Sequence, residues 1–162
     1  MRIPHFLASA AMVALLGGTS FGAAQTLTER NISAAQAMTV IQATMRQCPT
    51  ASVAVVDRSG EPRALLSADG SAPHNLELAR RKAYTARTFR IPSLQWRDRS
   101  AGASETAGQR MLEDVIPLGG GVPIMIGMDA IGGVGVSGAA GGQPADEACA
   151  RAGIAAIAGQ LQ

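Results

Sequence analysis

Apolar positions along this chain change their period several times, and each change marks an element. An uncharged run, Phe6 to Leu16, follows the cation Arg2 and is broken by Gly17, Gly18, Thr19 and Ser20, with small residues Gly22-Ala23-Ala24 before Gln25. A positive start, a short apolar core and a small-residue site are the pattern of a secretory signal peptide over residues 1–24. The run falls short of the ~20 apolar residues a membrane-spanning helix needs. Ser33 followed by Gln36 reads as a capping box, and Ala34, Met38, Ile41, Met45 and Cys48 recur at spacings of four and three, which predicts a helix with that apolar face, stopped by Pro49. Ser52 to Asp57 and Arg63 to Ser67 read as two strands joined by the turn residues Asp57-Arg58-Ser59-Gly60.

After a loop from Ala68 to Pro73, Asn75 is expected to cap a second helix reaching Phe89, with Ala79, Ala83 and Ala86 on one stripe. Small residues at that spacing let a helix backbone approach a sheet closely. Pro92 is expected to end this helix, and residues 97–109, polar and aperiodic, to form a long loop or a short irregular helix. Gly121 to Ile126 and Ala130 to Ser137 read as two more strands about Gly127-Met128-Asp129. Ala145 to Leu161 reads as the last helix, with Asp146 and Glu147 at its positive dipole end and Ala150, Ile154, Ile157 and Leu161 as its buried stripe. The order of helix, hairpin, helix, hairpin, helix predicts an α+β fold: a central antiparallel sheet packed with helices in a single domain over residues 25–162.

Composition narrows the function classes. The chain has 162 residues, 47% apolar but only 3% aromatic, and a net charge of +2, too small to call for nucleic acid. The two cysteines and two histidines exclude a self-contained zinc finger. Cys48 and Cys149 either pair, as an oxidising compartment favours, or stand as two reactive thiols. Beyond the leader His74 is the only histidine, so any Ser-His or Cys-His mechanism must use it; the plainer alternative is a surface or capping residue. Gly133 to Gly138 formally matches G-x-G-x-x-G, but Ala139 to Pro144 intervene before the next helix and Ala158 stands where the acid should be, so glycines on a crowded strand explain the match better than dinucleotide binding. Ala139 likewise occupies the last glycine of a G-x-S-x-G elbow.

Charge is concentrated in one place. Arg80, Arg81, Lys82, Arg87, Arg90, Arg97 and Arg99 crowd a stretch whose only acid is Asp98, and which also holds the sole lysine, tyrosine (Tyr84) and tryptophan (Trp96) of the chain. Cations interleaved with aromatic rings suit a planar ligand bearing carboxylates; a solvated helix face or an oligomer contact is the alternative.

Arg81-Lys82-Ala83-Tyr84-Thr85-Ala86, Gly119-Gly120-Gly121-Val122-Pro123-Ile124, Ile131 through Gly138 followed by Asp146-Glu147-Ala148-Cys149-Ala150, and the hairpin VAVVDRSGEPRALLSADG together resemble the GlcG/HbpS family over nearly all of residues 28–162. The resemblance implies an α+β sandwich, profilin- or PAS-like in outline, assembled as a homo-oligomer. Members include secreted haem-binding proteins, proteins encoded beside glycolate metabolism and the C-terminal domain of PduO-type cobalamin adenosyltransferases; some are linked to haem degradation or redox sensing. Two departures stand out: Gly141 to Ala145 lack the charged residue often found before the acid, and the first helix has no histidine.

The resulting expectation is a periplasmic or secreted binding protein for haem or a related tetrapyrrole, with no membrane span once the leader is removed. Its expected ligand surface comprises Arg81, Lys82, Tyr84, Thr85, Gly120, Gly121, Val122, Pro123 and Ser137. Arg80, Arg81 and Lys82 would meet the propionates, and His74 or a methionine is a candidate axial ligand. Two alternatives remain open: an enzyme or binding protein for a small hydroxy- or oxo-acid, with Lys82 and the glycine turn at Gly119 to Val122 holding the carboxylate, and an oligomer that presents its surface to a membrane sensor.

Overall fold

The computed structural model describes residues 25–162, and the expected signal peptide lies outside them. Ser33 and Gln36 form the capping box that opens α1 (Ala34–Gln47): each side chain accepts from the other residue's backbone N–H. The hairpin β1 (Ser52–Asp57) and β2 (Pro62–Ser67) follows. Helix α2 (Asn75–Phe89) leads through the left-handed residue Arg90 into the short helix α3 (Ser93–Arg99). A second hairpin, β3 (Gly121–Ile126) and β4 (Asp129–Ser137), precedes α4 (Gln143–Ala155). The four strands form one antiparallel sheet in the order β2-β1-β4-β3, and the fold is α+β, as the hairpin-and-helix order requires.

One face of the sheet carries α1 and α4, the other α2. Alternation along β4 decides which helix meets which side chain. Val134 and Val136 join Val53 and Val55 of β1 in the core under α1 and α4, with Ala37, Val40, Ile41 and Ala150. Gly133 and Gly135 turn to the other face, opposite Val56 and Ala54 of β1. There the backbone of α2 lies directly on the sheet. A Cβ at Gly135 would strike the Ala79 carbonyl, one at Gly133 would sit 2.5 Å from the Ala83 carbonyl oxygen, and one at Gly121 would strike the Lys82 carbonyl. Ala79, Ala83 and Ala86 are fully buried in this contact, as their stripe predicts.

Four local expectations need correction. The buried face of α1 is Ala37, Val40, Ile41 and Thr44, while Met38 is 47% exposed; the 3–4 spacing fits two adjacent stripes, and the buried anchor Ile32 just before the helix selects the other one. Asn75 does not cap α2. His74 holds the cap position without a side-chain bond, and the Asn75 amide instead donates to Ser71 Oγ (3.2 Å) and accepts from Ser137 Oγ (3.3 Å). Residues 97–109, expected as a long loop or a short irregular helix, begin instead inside the regular helix α3, which buries Ser93 and Trp96, before a loop and a short 3-10 turn from Ala107. Finally, α4 starts at Gln143, ends at Ala155 and buries Asp146, Cys149, Ala150 and Gly153, with Ile154 and Leu161 only partly covered.

Cys48, the C-cap of α1, is bonded to Cys149 of α4 across a sequence separation of 101, with the Cα atoms 6.1 Å apart. This realises the paired alternative for the two cysteines and ties the two helices of one face together.

Adding a methyl group at Gly135 must displace helix backbone. Gly135→Ala is expected to cost about 1–3 kcal/mol or more of stability, whereas Gly108→Ala, where a Cβ meets nothing within 4 Å, should stay within about 0.5 kcal/mol; urea denaturation midpoints compare them. Thiol labelling of the unfolded, unreduced protein should find no free cysteine, and reduction should lower stability by about 2–5 kcal/mol.

Candidate functional site

The tip of the first hairpin folds against α2 and leaves a cleft of about 410 Å³ between them. Asp57, at the end of β1, builds this tip. Its buried carboxylate accepts from the backbone N–H groups of Ser59 (2.8 Å) and Glu61 (3.0 Å) and from Arg63 Nε (3.2 Å). Gly60 then takes φ +87° and packs on the Tyr84 ring, where a Cβ would stand 2.7 Å from two ring carbons. Both the conformation and the contact require glycine. The cleft is lined by Arg58, Ser59 and Gly60 of the turn, Tyr84, Arg87 and Thr88 of α2, and Glu29 from the segment before α1.

The two cleft arginines differ in their partners. Arg58 Nη1 donates to Asp129 Oδ1 (2.7 Å), its Nε lies 3.4 Å from a Glu29 carboxylate oxygen, and its backbone N–H donates to Asn31 Oδ1 (3.0 Å). Arg87 has no ion pair among the described residues, and its Nε is buried without a hydrogen-bond partner. Burial, followed by the like charges of Arg58 and Arg90, pushes the Arg87 guanidinium below its ordinary pKa, though a guanidinium still carries its charge at neutral pH. Asp129 and Asp57 act on it only at longer range, and an anion entering the cleft would supply a countercharge in direct contact. Beside Arg87, the Tyr84 hydroxyl has no hydrogen bond among the described residues.

The other expected ligand residues go elsewhere. Lys82 is 2% exposed: Nζ donates to Asp146 Oδ2 (2.8 Å), to the Val136 carbonyl (3.0 Å) and to Ser137 Oγ (3.4 Å). Asp146, 4% exposed, also accepts from the Ala139 N–H (2.9 Å). Gly120, at φ +117°, closes over this network; a Cβ there would meet Val136 O at 2.6 Å and Asp146 Cβ at 2.7 Å. The Gly121 N–H donates to Ser93 Oγ (2.7 Å). Lys82, Gly120, Gly121 and Ser137 are thus brought together, but as an enclosed ion-pair network that ties α2 to α4, not as a surface.

Thr85 is buried, donating to the Arg81 carbonyl (2.8 Å) and accepting from the Ile116 N–H (2.9 Å). Arg81 holds the Glu113 and Val115 carbonyls (3.1 and 2.8 Å). Arg80 pairs with Glu77 and Asp114, and its hydrogen bonds hold the Glu77 carboxyl below the usual range. The expected propionate trio Arg80, Arg81 and Lys82 is therefore occupied by the protein's own acceptors. Pro123 borders a separate groove with Met125, Arg151 and Ile154, and Val122 is mostly buried beside it. His74 is exposed at the start of α2, about 15 Å along the helix from Tyr84 at 1.5 Å per residue. Trp96 is 2% exposed and stacks on Phe89, with ring centroids 4.6 Å apart, so it is not a ligand platform. Of the expected ligand residues, Tyr84 alone reaches the cleft. Sequence reasoning missed Arg58, Ser59, Gly60 and Glu29; the only signal there was a turn motif, which does not say what the turn packs against. Among the described residues, no cluster of three or more His, Cys, Asp or Glu side chains could hold a metal ion, and no helix is long and apolar enough to cross a membrane.

Residues 28–155 match the family model described as haem degrading protein HbpS-like. The chain belongs to the HbpS-like family. Its structure is similar to that of a double mutant of HbpS from Streptomyces reticuli, with a TM-score of 0.76 at 29% identity over 92% of this chain and 98% of that one. A second HbpS structure matches at 30% identity and TM-score 0.76, over 82% and 94% of the two chains. The fold is shared with the PduOC:heme complex at TM-score 0.70 and 23% identity, over 78% of this chain and 95% of that one. No curated protein matches the sequence.

In this HbpS-like chain the Lys82–Asp146 pair is a structural element. Asp146→Ala would leave a buried ammonium without its countercharge and is expected to cost about 3–5 kcal/mol. Replacing both residues by Met and Leu should cost less than the two single changes summed, a coupling that a double-mutant cycle in urea measures.

Proposed function

We propose that this HbpS-like protein is exported to the periplasm or beyond and binds haem or a related tetrapyrrole at the cleft between the hairpin tip and α2, working as a homo-oligomer. The observation that carries the reading is Arg87: a half-buried cation with no direct ion pair among the described residues, facing a cleft beside the unbonded phenol of Tyr84. A propionate satisfies the first, and the second offers a ring face and an oxygen donor of a kind that haem iron accepts in some proteins. The family description and the HbpS relatives support haem as the ligand class, and the leader pattern at residues 1–24 supports export. Bound haem would supply the iron; the chain supplies the anion site, the ring contact and the shape of the cleft.

The same donors also suit the carboxylate and hydroxyl of a small hydroxy-acid, so one titration separates the two readings. Haemin added to the purified protein is expected to give a shifted Soret band. Arg87→Ala should weaken haemin about tenfold or more, since a charged hydrogen bond contributes about 1.5–3 kcal/mol, and Tyr84→Phe should alter the spectrum. Arg80→Ala, whose guanidinium is already engaged, should behave as the parent. Parent-like binding by both cleft variants overturns this site, and glycolate binding with no haemin signal favours the small-acid reading.

A further inference from the structure

We infer that Glu29 is a built-in carboxylate competitor in the cleft, occupying at Arg58 the place that the second carboxylate of a dianionic ligand takes on binding. The inference rests on the reading of the cleft as the site for a tetrapyrrole that carries two carboxylates. Its basis is how the seven residues before α1 are held. Ile32 is 1% exposed and its N–H donates to the Ile131 carbonyl (3.3 Å), which anchors one end of the segment to the sheet. Upstream, Arg58 holds it three times: through Asn31 Oδ1, through the Arg30 carbonyl (3.4 Å) and through the Glu29 carboxylate (3.4 Å). Leu27, beyond that, is 82% exposed. The segment is thus a strap fastened at Ile32 and laid across Arg58, with its one acid at the cleft wall.

The distribution of charge makes this strap more than a tether. Arg58 is in direct contact with two carboxylates, Asp129 and Glu29, while Arg87 makes no direct ion pair among the described residues and feels Asp129 and Asp57 only at longer range. A ligand with two carboxylates places the first at Arg87 without displacing anything. The second reaches Arg58 only by displacing one of its partners. Asp129 is the closer, at 2.7 Å and 37% exposed; Glu29 stands at 3.4 Å and is 57% exposed. An exposed ion pair of that kind contributes little and is readily exchanged. Glu29 therefore adds a second carboxylate to Arg58, beside Asp129, in the free protein and yields to a ligand that brings its own, so the cleft discriminates dianionic from monoanionic or neutral ring ligands.

The test compares haemin with haemin dimethyl ester, which lacks free carboxylates, against the parent and Glu29→Gln, following the Soret band. Glu29 is exposed, so the variant keeps its fold. Haemin is expected to bind Glu29→Gln about two- to fivefold more tightly than the parent, the range an exposed ion pair spans, with no change for the ester. Equal haemin affinity in the two proteins, or the same gain for the ester, overturns the competitor role while leaving the cleft intact, provided Arg87→Ala still weakens haemin. If Arg87→Ala binds haemin as the parent does, the cleft reading fails and the role of Glu29 fails with it.

Discussion

Three missing side chains hold this molecule together. Because Gly121, Gly133 and Gly135 present only backbone on one face of the sheet, α2 settles until its own carbonyl groups touch the strands. At that depth a helix cannot be rotated or shifted by a residue without driving a side chain into the sheet, since protein interiors are packed without slack. The register of α2 is therefore fixed by contact, and with it the direction of every side chain the helix carries. Lys82 is sent to the end of the sheet, and Tyr84 and Arg87 to the hairpin tip. The cleft is a by-product of this seating, and so is the buried ion pair.

The two faces are then joined. Burying Lys82 and Asp146 is unfavourable in itself, because two ions lose their water, and it is tolerable only when the remaining donors and acceptors are also met. Here they are: the ammonium reaches a carboxylate, a carbonyl and a hydroxyl, and the carboxylate also takes a backbone N–H. The result links α2, on one face, to α4, on the other, past the end of the sheet where β3 begins and β4 stops. The disulfide does the corresponding work between α1 and α4. Four helices and one sheet thus share few but firm connections, and the free cation Arg87 is conspicuous because nearly every other cation along α2 has been given an internal partner.

What could be read in the sequence follows the range of the interactions. The capping box of α1, both hairpins and the alanine stripe of α2 depend on residues within one or two turns of each other, and they are legible. The buried stripe of α1 is not, because Ala34-Met38-Ile41 and Ala37-Val40-Ile41-Thr44 satisfy the same spacing and only the packing against α4 and Ile32 chooses between them. Helix α3 is hidden by its polar surface, where Trp96 is the single large buried side chain. For the site, the cation-rich segment points to α2, and Tyr84 is the one expected ligand residue that lines the cleft. The segment's charges could not be sorted into engaged and free, since apart from Glu77 beside Arg80 the partners of Arg80, Arg81 and Lys82 lie thirty or more residues away.

The cross-link between Cys48 and Cys149 also divides the chain topologically. It closes a covalent ring that contains both hairpins, α2 and α3, and so every cleft residue except one. Glu29 lies outside the ring. Cross-linking restricts the unfolded ensemble of the segment it encloses, and the strap before Ile32 lies outside that restriction. The cleft walls and the Glu29 carboxylate thus stand on opposite sides of a covalent closure, joined by the non-covalent contacts that Ile32 makes with Ile131 and that Arg58 makes with the strap.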